Sequence, residues 1–587
     1  MHVIATAGHV DHGKSTLIRS LTGMEPDRWS EERRRGMTID LGFAWTTTAE
    51  GDTLAFVDVP GHERFVPNML AGVGPVPAVM FVVAADEGWM PQSSEHLQAL
   101  HALGVRHGIL VVTRSDLADP EPAVEQARHH LGDTSLSELP VLRVSGATGE
   151  GVAELRSALE RLTGDLARPD QHADPRLWVD RAFTIRGTGT VVTGTLPAGT
   201  LTTGRQLLLY PHGHEVTVRG MQCLGVETSH VEAVARVAVN LRGVRLEDVG
   251  RGDVLAPPGL WLSTDVLDVR LRGADSRELP RQLMLHMGAA AVPVRVRPLG
   301  ADTARLALRT PLPLRIGDRA LLRDPGGHRV PAGVVVLDVR PPALRRRGAG
   351  TRRARELEDM GERPDGAAEL RRRRVVRADE LTGMGATPPS GAPQRGGWLL
   401  DPSHRDALAT RVVELLSEYH REYPLEGGMP TEALRRALHL PDAALLIPVL
   451  RAVTSAGVTV QDGRVGLGSA SLPEHVRDAL SAVHRILADR PFVAPTAEEL
   501  DELGLGAKEI AAAVRAGELL KLDQGIVLLP GALDQAVQRL SQLPSPFTPS
   551  QAKQALATTR RVTIPLLETL ARRRYTERLD DGSHRLR

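Results

Sequence analysis

The sequence lacks several features that would mark it as a secreted or membrane protein. It contains one cysteine, Cys223, in 587 residues, so no disulfide can form within the chain, and a small buried thiol is the simplest interpretation of that residue. No apolar run approaches the ~20 residues that cross a bilayer. The first strand-like run starts directly after Met1, which leaves no room for a cleavable signal. These absences predict a cytoplasmic protein that makes no membrane contact.

The length of the chain predicts how many domains it has, and the distribution of charge predicts where nucleic acid would bind. At 587 residues the chain is too long for one hydrophobic core, and ~150 residues per domain predicts about four domains. Aromatic residues make up only 3% of the chain, which disfavours a surface for stacking nucleic-acid bases. The formal net charge is zero, but residues 531–587 carry ten Lys or Arg against five Asp or Glu. A contact with nucleic acid is therefore expected first at the C-terminal end.

The N-terminal part is organised around the stretch GHVDHGKS, residues 8–15. It fits the pattern G-x-x-x-x-G-K-[ST] and stands between a strand-like and a helix-like run, as that pattern requires. The glycines let successive backbone N–H groups face a phosphate, and the helix start adds a positive dipole end. The Ser15 hydroxyl is also expected to ligate Mg²⁺. Phosphate contacts are predicted for Gly8, Val10, Asp11, His12, Gly13, Lys14, Ser15 and Thr16.

Apolar runs followed by polar residues recur through residues 1–170, which is typical of a doubly wound α/β domain. Such sheets bind ligands at the carboxyl ends of their strands. At those ends Asp58 is placed to hold Mg²⁺, and Gly61 lets the backbone approach a terminal phosphate. Asp116 can accept from both N1–H and the 2-amino group of guanine, a pair that adenine cannot offer. Further nucleotide contacts are predicted for Thr113, Arg114, Ser145, Gly146 and Ala147.

Between the first two apolar runs lies RRRGMTI, residues 33–39, whose charge and glycine predict a mobile loop. The hydroxyl of Thr38 is expected to complete the Mg²⁺ shell when a γ-phosphate is present, as in the order–disorder switch of a GTPase. The domain is thus predicted to bind GTP or GDP together with Mg²⁺.

GHVDHGKS, RGMTID, DVPGHE and the Asp116 motif follow one another as in the translational GTPases related to elongation factor Tu, which this sequence resembles. The resemblance implies that His62 positions the attacking water in a ribosome-stimulated GTPase. The guanine motif departs from the family, because Thr113 and Arg114 replace its usual Asn and Lys. The Arg plane can still lie along the base, whereas Thr loses an amide. A Thr at this position resembles the sequences of the selenocysteine-specific branch of the family, which tend to have Thr here.

Alternating apolar positions and turn glycines then predict two β-barrel domains, at 175–260 and 261–345. Asp180 and Arg181 open the first barrel and Arg236 lies on a later strand, which is similar to the selenocysteine-specific elongation factors. A selenol is an anion at neutral pH, so a cationic pocket would select it over Ser or Cys. The resemblance implies that these three residues bind the aminoacyl group. An ordinary ion pair within the barrel is the alternative.

The C-terminal part is predicted to be helical. Residues 350–400 are interpreted as a linker or a degraded winged helix, with a flexible Pro- and Gly-rich loop at 384–397. Three later stretches each place helices before a β-hairpin, which predicts tandem winged helices at 401–470, 471–530 and 531–587. Generic helical modules are the alternative. At the two ends of the last recognition helix, RNA contacts are predicted for Arg560, Arg561, Arg572, Arg573 and Arg574.

The sequence therefore predicts a multidomain protein with an α/β P-loop GTPase domain, two β-barrel domains and tandem winged-helix (α+β) domains. Elongation factor Tu has nothing comparable after its barrels, whereas the selenocysteine-specific factors do. The resemblance implies a monomeric factor that carries selenocysteinyl-tRNA to the ribosome at recoded UGA codons, while its last winged helix binds a hairpin in the selenoprotein mRNA. The alternatives are a GTPase for another aminoacyl-tRNA, the GTPase subunit of a sulfate-activating enzyme, and a GTP-gated RNA-binding regulator, which would not need two barrels.

Overall fold

The chain divides into two compact units: residues 1–372 with 376–390, and residues 373–375 with 391–587. The computed structural model describes residues 1–26, 38, 40–62, 66–74, 76–187, 189–327, 329–468 and 472–587. Among these residues no helix is long and apolar enough to cross a membrane. Most of the loop predicted to be mobile, residues 33–37 and 39, lies outside the described residues.

The first unit begins with an α/β domain. Its strands are β1 His2–Ala7, β2 Gly42–Thr47, β3 Thr53–Asp58, β4 Ala78–Ala84, β5 His107–Thr113 and β6 Val141–Arg143. Its helices are α1 Lys14–Thr22, α2 Val66–Val73, α3 Pro91–Leu103, α4 Glu121–Leu131 and α5 Val152–Asp165. The sheet order is β2-β3-β1-β4-β5-β6, and only β2, an edge strand that the sequence did not predict, pairs antiparallel. The carboxyl ends of the other five strands therefore meet at one edge, where the predicted nucleotide residues stand.

Two β domains follow in the same unit. The first contains β7 Leu177–Trp178, β8 Arg181–Ile185, β9 Gly189–Leu196, β10 Thr200–Thr202, β11 Gln206–Tyr210, β12 His214–Cys223, β13 Val226–Thr228, β14 His230–Glu232, β15 Ala235–Arg242 and β16 Val254–Ala256. The second contains β17 Leu262–Arg272, β18 Gln282–Met287, β19 Ala290–Pro298, β20 Thr303–Leu314, β21 Arg319–Asp324 and β22 Arg329–Asp338. The main sheet of the first runs β7-β16-β11-β12-β15-β9-β8, and the second closes into a barrel in the order β17-β20-β19-β18-β21-β22. Alternate residues of β15 are buried, as a half-buried strand requires.

Helix α6 Ala349–Glu358 is attached to the second barrel by a buried ion network. Arg353 is 2% exposed, and its Nε lies 2.7 Å from an oxygen of Asp268 while its Nη2 lies 2.5 Å from Asp338. Arg305 donates to Asp268 as well, at 2.7 and 2.9 Å. Removing one member of such a network would leave a buried charge without its partner. The start of the 350–400 stretch is therefore fixed to the barrel.

The stretch then continues as α7 Gly366–Arg373, β23 Val375–Arg377 and α8 Ala378–Gly383. The flexible loop predicted at 384–397 is wrong at its beginning, because Met384 and Ala386 are buried. The N–H of Ile316, on the second barrel, donates to the carbonyl of Met384 at 3.0 Å. The Pro- and Gly-rich composition of this stretch suits a loop in solvent, but here its first residues pack against the barrel.

The second unit contains three modules in which helices precede a hairpin, as predicted. Before them lies the hairpin β24 Gln394–Arg395 and β25 Trp398–Leu400. The first module has α9 Pro402–Glu422, β26 Met429–Pro430, α10 Thr431–Ala437, α11 Leu446–Ala452, β27 Val458–Gln461 and β28 Arg464–Leu467. The second has α12 Glu474–Asp489, α13 Ala497–Glu502, α14 Ala507–Arg515, β29 Leu520–Lys521 and β30 Val527–Leu528. The third has α15 Ala532–Leu540, α16 Pro549–Ala555, α17 Arg560–Arg572, β31 Thr576–Arg578 and β32 His584–Leu586. Capping boxes at Thr496 and Thr548 explain where α13 and α16 begin.

The last two modules share one hydrophobic core, whereas the first has a core of its own. A single buried cluster extends from Val476 to Leu570 and contains both Phe492 and Phe547. The Thr558 hydroxyl, in the third module, donates to the carbonyl of Phe492 in the second. The buried cluster of the first module spans residues 400–465. Residues 472–587 therefore form one structural piece.

Candidate nucleotide site and arginine pocket

The loop between β1 and α1 is packed tightly against strand β4. Gly8 has φ 128°, and a Cβ there would lie 2.1 Å from the carbonyl oxygen of Val82. Gly13 has φ 80° and precedes α1, whose start no side chain caps in the described structure. The N–H groups of the first turn therefore face the loop without an internal partner, which is the usual arrangement of an anion site.

Lys14 and Gly61 lie on the same side of this loop. The Lys14 ammonium donates to the carbonyl of Gly8 at 3.2 Å and of His9 at 2.5 Å. A Cβ on Gly61 would lie 2.5 Å from the nitrogen of Val10 and 2.7 Å from Lys14 Nζ. Only a glycine can bring the backbone after β3 this close to the lysine. The structure thus unites the cation and the glycine that were predicted for a terminal phosphate.

Three oxygen-bearing side chains meet beside the first turn of α1. The Ser15 hydroxyl donates to Asp58 at 2.6 Å and lies 3.1 Å from the Thr38 hydroxyl. The Thr6 hydroxyl donates to the other oxygen of Asp58 at 2.8 Å. Complete burial raises the pKa of Asp58, against the effect of these hydrogen bonds and of Lys14. Two hydroxyls and a carboxylate are hard oxygen ligands, so the predicted residues fit Mg²⁺ shared with phosphate oxygens.

Two side chains of helix α3 accept hydrogen bonds from the phosphate loop. The sequence did not indicate either contact. The N–H of Gly8 donates to His96 Nδ1 at 3.0 Å, and the N–H of Val10 donates to Gln92 Oε1 at 3.1 Å. Burial, reinforced by Lys14, lowers the pKa of His96 to about 3, so the ring is neutral and can accept. The N–H of Val10, which is predicted to contact phosphate, therefore also has an acceptor on α3. Burial likewise lowers the pKa of His12, to about 4.

Thr113 is joined to the phosphate loop. Its hydroxyl donates to the carbonyl of His12 at 2.8 Å and lies 3.3 Å from the carbonyl of Val83. The side-chain amide of the family's usual Asn is absent at this position. The Thr113 hydroxyl instead links β5 to the phosphate loop. Its effect is to hold the base end and the phosphate end of the site in register.

Arg114 is held by carboxylates. It has φ 56°, its Nη1 lies 2.9 Å from Asp86 and 2.7 Å from Glu87, and its Nη2 donates to the carbonyl of Asp11. The guanidinium therefore links three segments around the site. Asp116 is exposed at the end of β5, where a carboxylate can meet a base.

The loop after β6 reaches the start of α1. The Gly146 carbonyl accepts from the Ser20 hydroxyl at 2.9 Å, and a Cβ on Gly146 would lie 3.2 Å from Thr16. The Ser145 hydroxyl accepts from the N–H of Ala147 at 3.3 Å. The loop after β6 thus lies against Thr16 through Gly146.

His62 follows Gly61 and is half-buried. It is close enough to His9 to lower the pKa of that ring, although burial and Lys14 are the larger causes. The residue predicted to position water therefore directly follows the glycine that lies against Lys14.

The predicted aminoacyl residues lie where the GTPase domain meets the first β domain. Arg236 makes a two-pronged ion pair with Asp180, at 2.5 and 3.0 Å, and both side chains are largely buried. Arg181 turns instead to Asp40 of the GTPase domain, with its Nε at 3.1 Å and its Nη2 at 2.5 Å from one oxygen. The Arg236 guanidinium also lies 5.7 Å from the ring centre of Phe43, on β2. Asp180 therefore holds one guanidinium in position, and that guanidinium is Arg236.

A third arginine, Arg251, completes this pocket. The sequence alone did not indicate its role. Its Nη1 lies 3.9 Å from Asp40 and donates to the Asn68 side chain on α2. Burial lowers the pKa of Arg251, and the neighbouring cations Arg181 and Arg236 reinforce that effect. The arginine pocket, defined as Asp40, Asp180, Arg181, Arg236 and Arg251, thus carries three positive charges against two negative ones.

The five C-terminal arginines divide into two groups. All five are exposed, and Arg560, Arg573 and Arg574 form the first group. Arg561 donates to the carbonyls of Ala494 and Pro495, the latter at 3.1 Å, and Arg572 pairs with Asp523. The RNA contacts of all five stay a prediction, and two of these arginines also attach the third module to the second.

The nucleotide site, the strand ends that carry it and the two β domains behind it define a translational GTPase. Residues 1–164 match the family model of the elongation factor Tu GTP binding domain. Residues 265–343 match the model described as selenocysteine-specific elongation factor, beta-barrel domain. Residues 413–465 and 538–585 match models described as elongation factor SelB, winged helix.

The chain belongs to the selenocysteine-specific elongation factors. It is 32% identical to the selenocysteine-specific elongation factor of Desulfomicrobium baculatum, over 99% of this chain and 98% of that one. It is 34% identical to the Escherichia coli factor, over 81% and 78% of the two chains. A crystal structure of a bacterial selenocysteine-specific elongation factor, EF-Sec, superposes with a TM-score of 0.76 at 25% identity and covers 100% of both chains. The predicted family, fold class and GTPase activity are confirmed.

Proposed function

We propose that the protein, as a cytoplasmic monomer, delivers selenocysteinyl-tRNA to the ribosome at recoded UGA codons. The observation that carries this proposal is the arginine pocket, whose three guanidinium groups outnumber its two carboxylates. A selenolate gains from such a surplus of positive charge, whereas a seryl hydroxyl does not. Arginine suits the task because it keeps its charge in a partly buried site.

The nucleotide site would control delivery by binding and hydrolysing GTP. Lys14 and the start of α1 would bind the phosphates, and Asp116 would accept from guanine. Ser15, Thr38 and Asp58 would hold Mg²⁺, which when bound neutralises charge on the phosphate oxygens. His62 would orient the attacking water. Replacing Asp116 with Asn should shift the preference from GTP to xanthosine triphosphate, because the amide donates where the xanthine carbonyl accepts.

The third module would bind a hairpin of the selenoprotein mRNA. Its exposed arginines Arg560, Arg573 and Arg574 suit RNA phosphates. Reversing all three to Glu in the full chain should abolish hairpin binding and leave GTP hydrolysis unchanged. Arg451→Glu with Arg477→Glu, exposed positions in the other two modules, is the control. Equal losses in the two variants would contradict an RNA site in the third module.

The decisive experiment compares selenocysteinyl-tRNA with the same tRNA carrying serine. With GTP present, the wild-type protein should bind the selenocysteinyl form far more tightly. Arg181→Ala should cost that form about 2–4 kcal/mol and the seryl form little, since only the first brings an anion. Arg323→Ala is the matched control, because Arg323 pairs with Glu95 at another junction between the GTPase domain and a β domain. Equal binding of the two tRNAs by the wild-type protein would overturn the proposal.

A further inference from the structure

A cavity of about 870 Å³ lies where the GTPase domain, the second barrel and the loop after α6 meet. The GTPase domain contributes residues 74, 76–77 and 103–107, the barrel residues 272, 315–319 and 335, and the loop residues 362–364. All of them belong to the first compact unit. Residues 76–77 and 104–106 directly precede β4 and β5, so this wall lies at the edge of the sheet opposite to the nucleotide site. The cavity is therefore separate from that site.

Every wall of the cavity contributes arginine. Arg106 comes from the GTPase domain, Arg272 and Arg319 come from the barrel, and Arg363 comes from the loop. These four residues and the space between them are called the basic cavity below. Arg106, Arg319 and Arg363 are exposed, so a ligand from solvent can reach them.

Two other charged side chains of the lining are neutralised by partners outside the cavity. Asp318 accepts from two nitrogens of Arg176, at 2.6 and 2.7 Å. Arg315 pairs with Asp174 at 2.5 Å, and its guanidinium lies 3.9 Å from the ring centre of Trp261. These two pairs therefore add no net charge to the cavity.

The remaining charges do not balance. Glu362 is the other carboxylate of the lining, and it pairs with Arg272 at 2.5 Å. Among the residues that the structure describes, no carboxylate pairs with Arg106, Arg319 or Arg363. Partial burial lowers the pKa of the Arg319 guanidinium, and the neighbouring cations Arg272 and Arg106 reinforce that effect against Glu362. The basic cavity thus has three positive charges to offer to an anion.

The backbone around the cavity fixes two of its walls. Gly104 ends α3 with φ 71° and leaves room for the Arg319 guanidinium, since a Cβ there would lie 1.7 Å from Nη1. Arg319 therefore reaches from the barrel to the carboxyl end of α3, where the helix dipole favours a cation. Arg270 of β17 donates to the carbonyls of Leu357 and Met360, at 2.8 and 3.1 Å, which attaches the end of α6 and the start of the loop to the barrel.

We propose that the basic cavity binds a small polyphosphate anion, held from three walls by Arg106, Arg319 and Arg363. Guanidinium groups match phosphate oxygens in shape and keep their charge. The volume lies in the range of small-molecule sites. An RNA duplex carries its phosphates on a convex outer surface, which suits a concave cavity less well than a compact ligand does. One bound anion would hold the GTPase domain, the barrel and the loop together.

Titration calorimetry of the full chain with tripolyphosphate tests this site. GDP is kept saturating and free Mg²⁺ constant, so that the nucleotide site stays filled. The wild-type protein should bind one tripolyphosphate, more weakly as the ionic strength rises. The cavity variant, Arg106→Glu with Arg363→Glu, should bind it about tenfold more weakly or worse. Both side chains are exposed, and an unchanged melting temperature without ligand shows that the variant is folded.

The matched control is Arg297→Glu with Arg309→Glu. These are exposed positions of the second barrel that do not line the cavity, and the variant has the same net charge as the cavity variant. It should bind tripolyphosphate like the wild-type protein. Tripolyphosphate should also raise the melting temperature of the wild-type and control proteins more than that of the cavity variant, because a ligand of the folded state stabilises it.

Three results would overturn the proposal. The first is a wild-type protein that does not bind tripolyphosphate, or a cavity variant that binds it equally well. The second is an equal loss of affinity in the control variant, which would show a response to net charge alone. The third is a loss of aminoacyl-tRNA binding in the cavity variant with GTP present, which would assign the cavity to RNA phosphates. None of these results bears on the selection of the aminoacyl group, so the proposed function is tested separately.

Discussion

The nucleotide site and the arginine pocket are both built to receive an anion, but from different materials. The first is largely main chain, and its glycines at 8 and 61 are required because a Cβ would meet neighbouring atoms at 2.1 and 2.5 Å. The second consists of side chains from distant segments, in which carboxylates oppose guanidinium groups. A main-chain cradle should fail when its shape changes, whereas a side-chain cluster should fail when its charges are unbalanced and recover when the balance is restored.

The largest effect should come from shape. Gly8→Ala places a methyl group 2.1 Å from the Val82 carbonyl at φ 128°, so the loop or β4 must move. We expect GTP affinity to fall by ~10³-fold or more, about 4 kcal/mol, in equilibrium titrations. Gly23 also has a positive φ, 72°, but open space surrounds the added Cβ, so Gly23→Ala should cost only about 1–2 kcal/mol of stability. If the two variants bound GTP with similar affinity, the shape of the loop around Gly8 would not determine nucleotide binding.

Charge balance should dominate in the pocket. Arg236→Gln leaves Asp180 buried without its cation, and we expect the free energy of unfolding to fall by about 3–5 kcal/mol. The double variant Arg236→Gln with Asp180→Asn should recover most of that loss, because no charge is then left unpaired. Denaturant titrations of the single and double variants measure the loss in the free energy of unfolding and its recovery. A double variant as unstable as the single one would show that shape, not charge, holds this cluster.

Replacing His62 should separate nucleotide binding from GTP hydrolysis within the nucleotide site. His62→Ala is expected to slow ribosome-stimulated GTP hydrolysis by ~10²-fold, about 2.7 kcal/mol, because the attacking water loses its orienting group. GTP affinity should remain nearly unchanged, since the phosphates are held by Lys14 and the loop. Single-turnover rates on ribosomes measure the effect, and an unaltered rate would remove His62 from the mechanism.

The smallest effect is expected from the one side chain that ties the base end to the loop. Thr113→Val keeps the shape of Thr113 but removes the hydroxyl that donates to the His12 carbonyl. We expect GDP affinity to fall by ~5- to 30-fold, about 1–2 kcal/mol. Thr190→Val, which removes a hydroxyl bonded to Val244 in the first β domain, should leave nucleotide affinity unchanged. A response to the second variant as large as to the first would argue against a local role for Thr113.

Much of the nucleotide site could be predicted because its residues stand in short contiguous motifs at strand ends. Gly8, Lys14, Asp58 and Gly61 meet as those motifs implied. The acceptors on α3 could not be predicted, since an internal helix position such as His96 gives no sign of the loop it faces. Local patterns predict local geometry, and contacts between distant elements need the fold.

The arginine pocket shows the same limit more strongly. Asp180, Arg181 and Arg236 were singled out from a resemblance, but Asp40 and Arg251 belong to other stretches of the chain. Nothing in the spacing of these residues places a GTPase-domain carboxylate against a barrel arginine. The ion pair between Asp40 and Arg181 exists only because two domains are packed together.

Charge runs were the least informative feature of the sequence. Arg353, in a stretch interpreted as a linker, is buried against two aspartates, and Arg561 and Arg572 bind the neighbouring module. A run of arginines looks the same in a sequence whether it meets solvent, RNA or a buried carboxylate. The difference lies in the partner, which local composition does not reveal.

The common core of the last two modules has a consequence for how such chains can diverge. A recombination event that joined this chain to a relative near residue 530 would separate Phe492 from Phe547 and leave each half with a mismatched apolar face. Exchange after Leu467 would pass the pair on intact. The pair of modules is therefore the unit that can be exchanged without disrupting this core, and substitutions at exposed positions such as Arg560 can change its surface without disturbing the core.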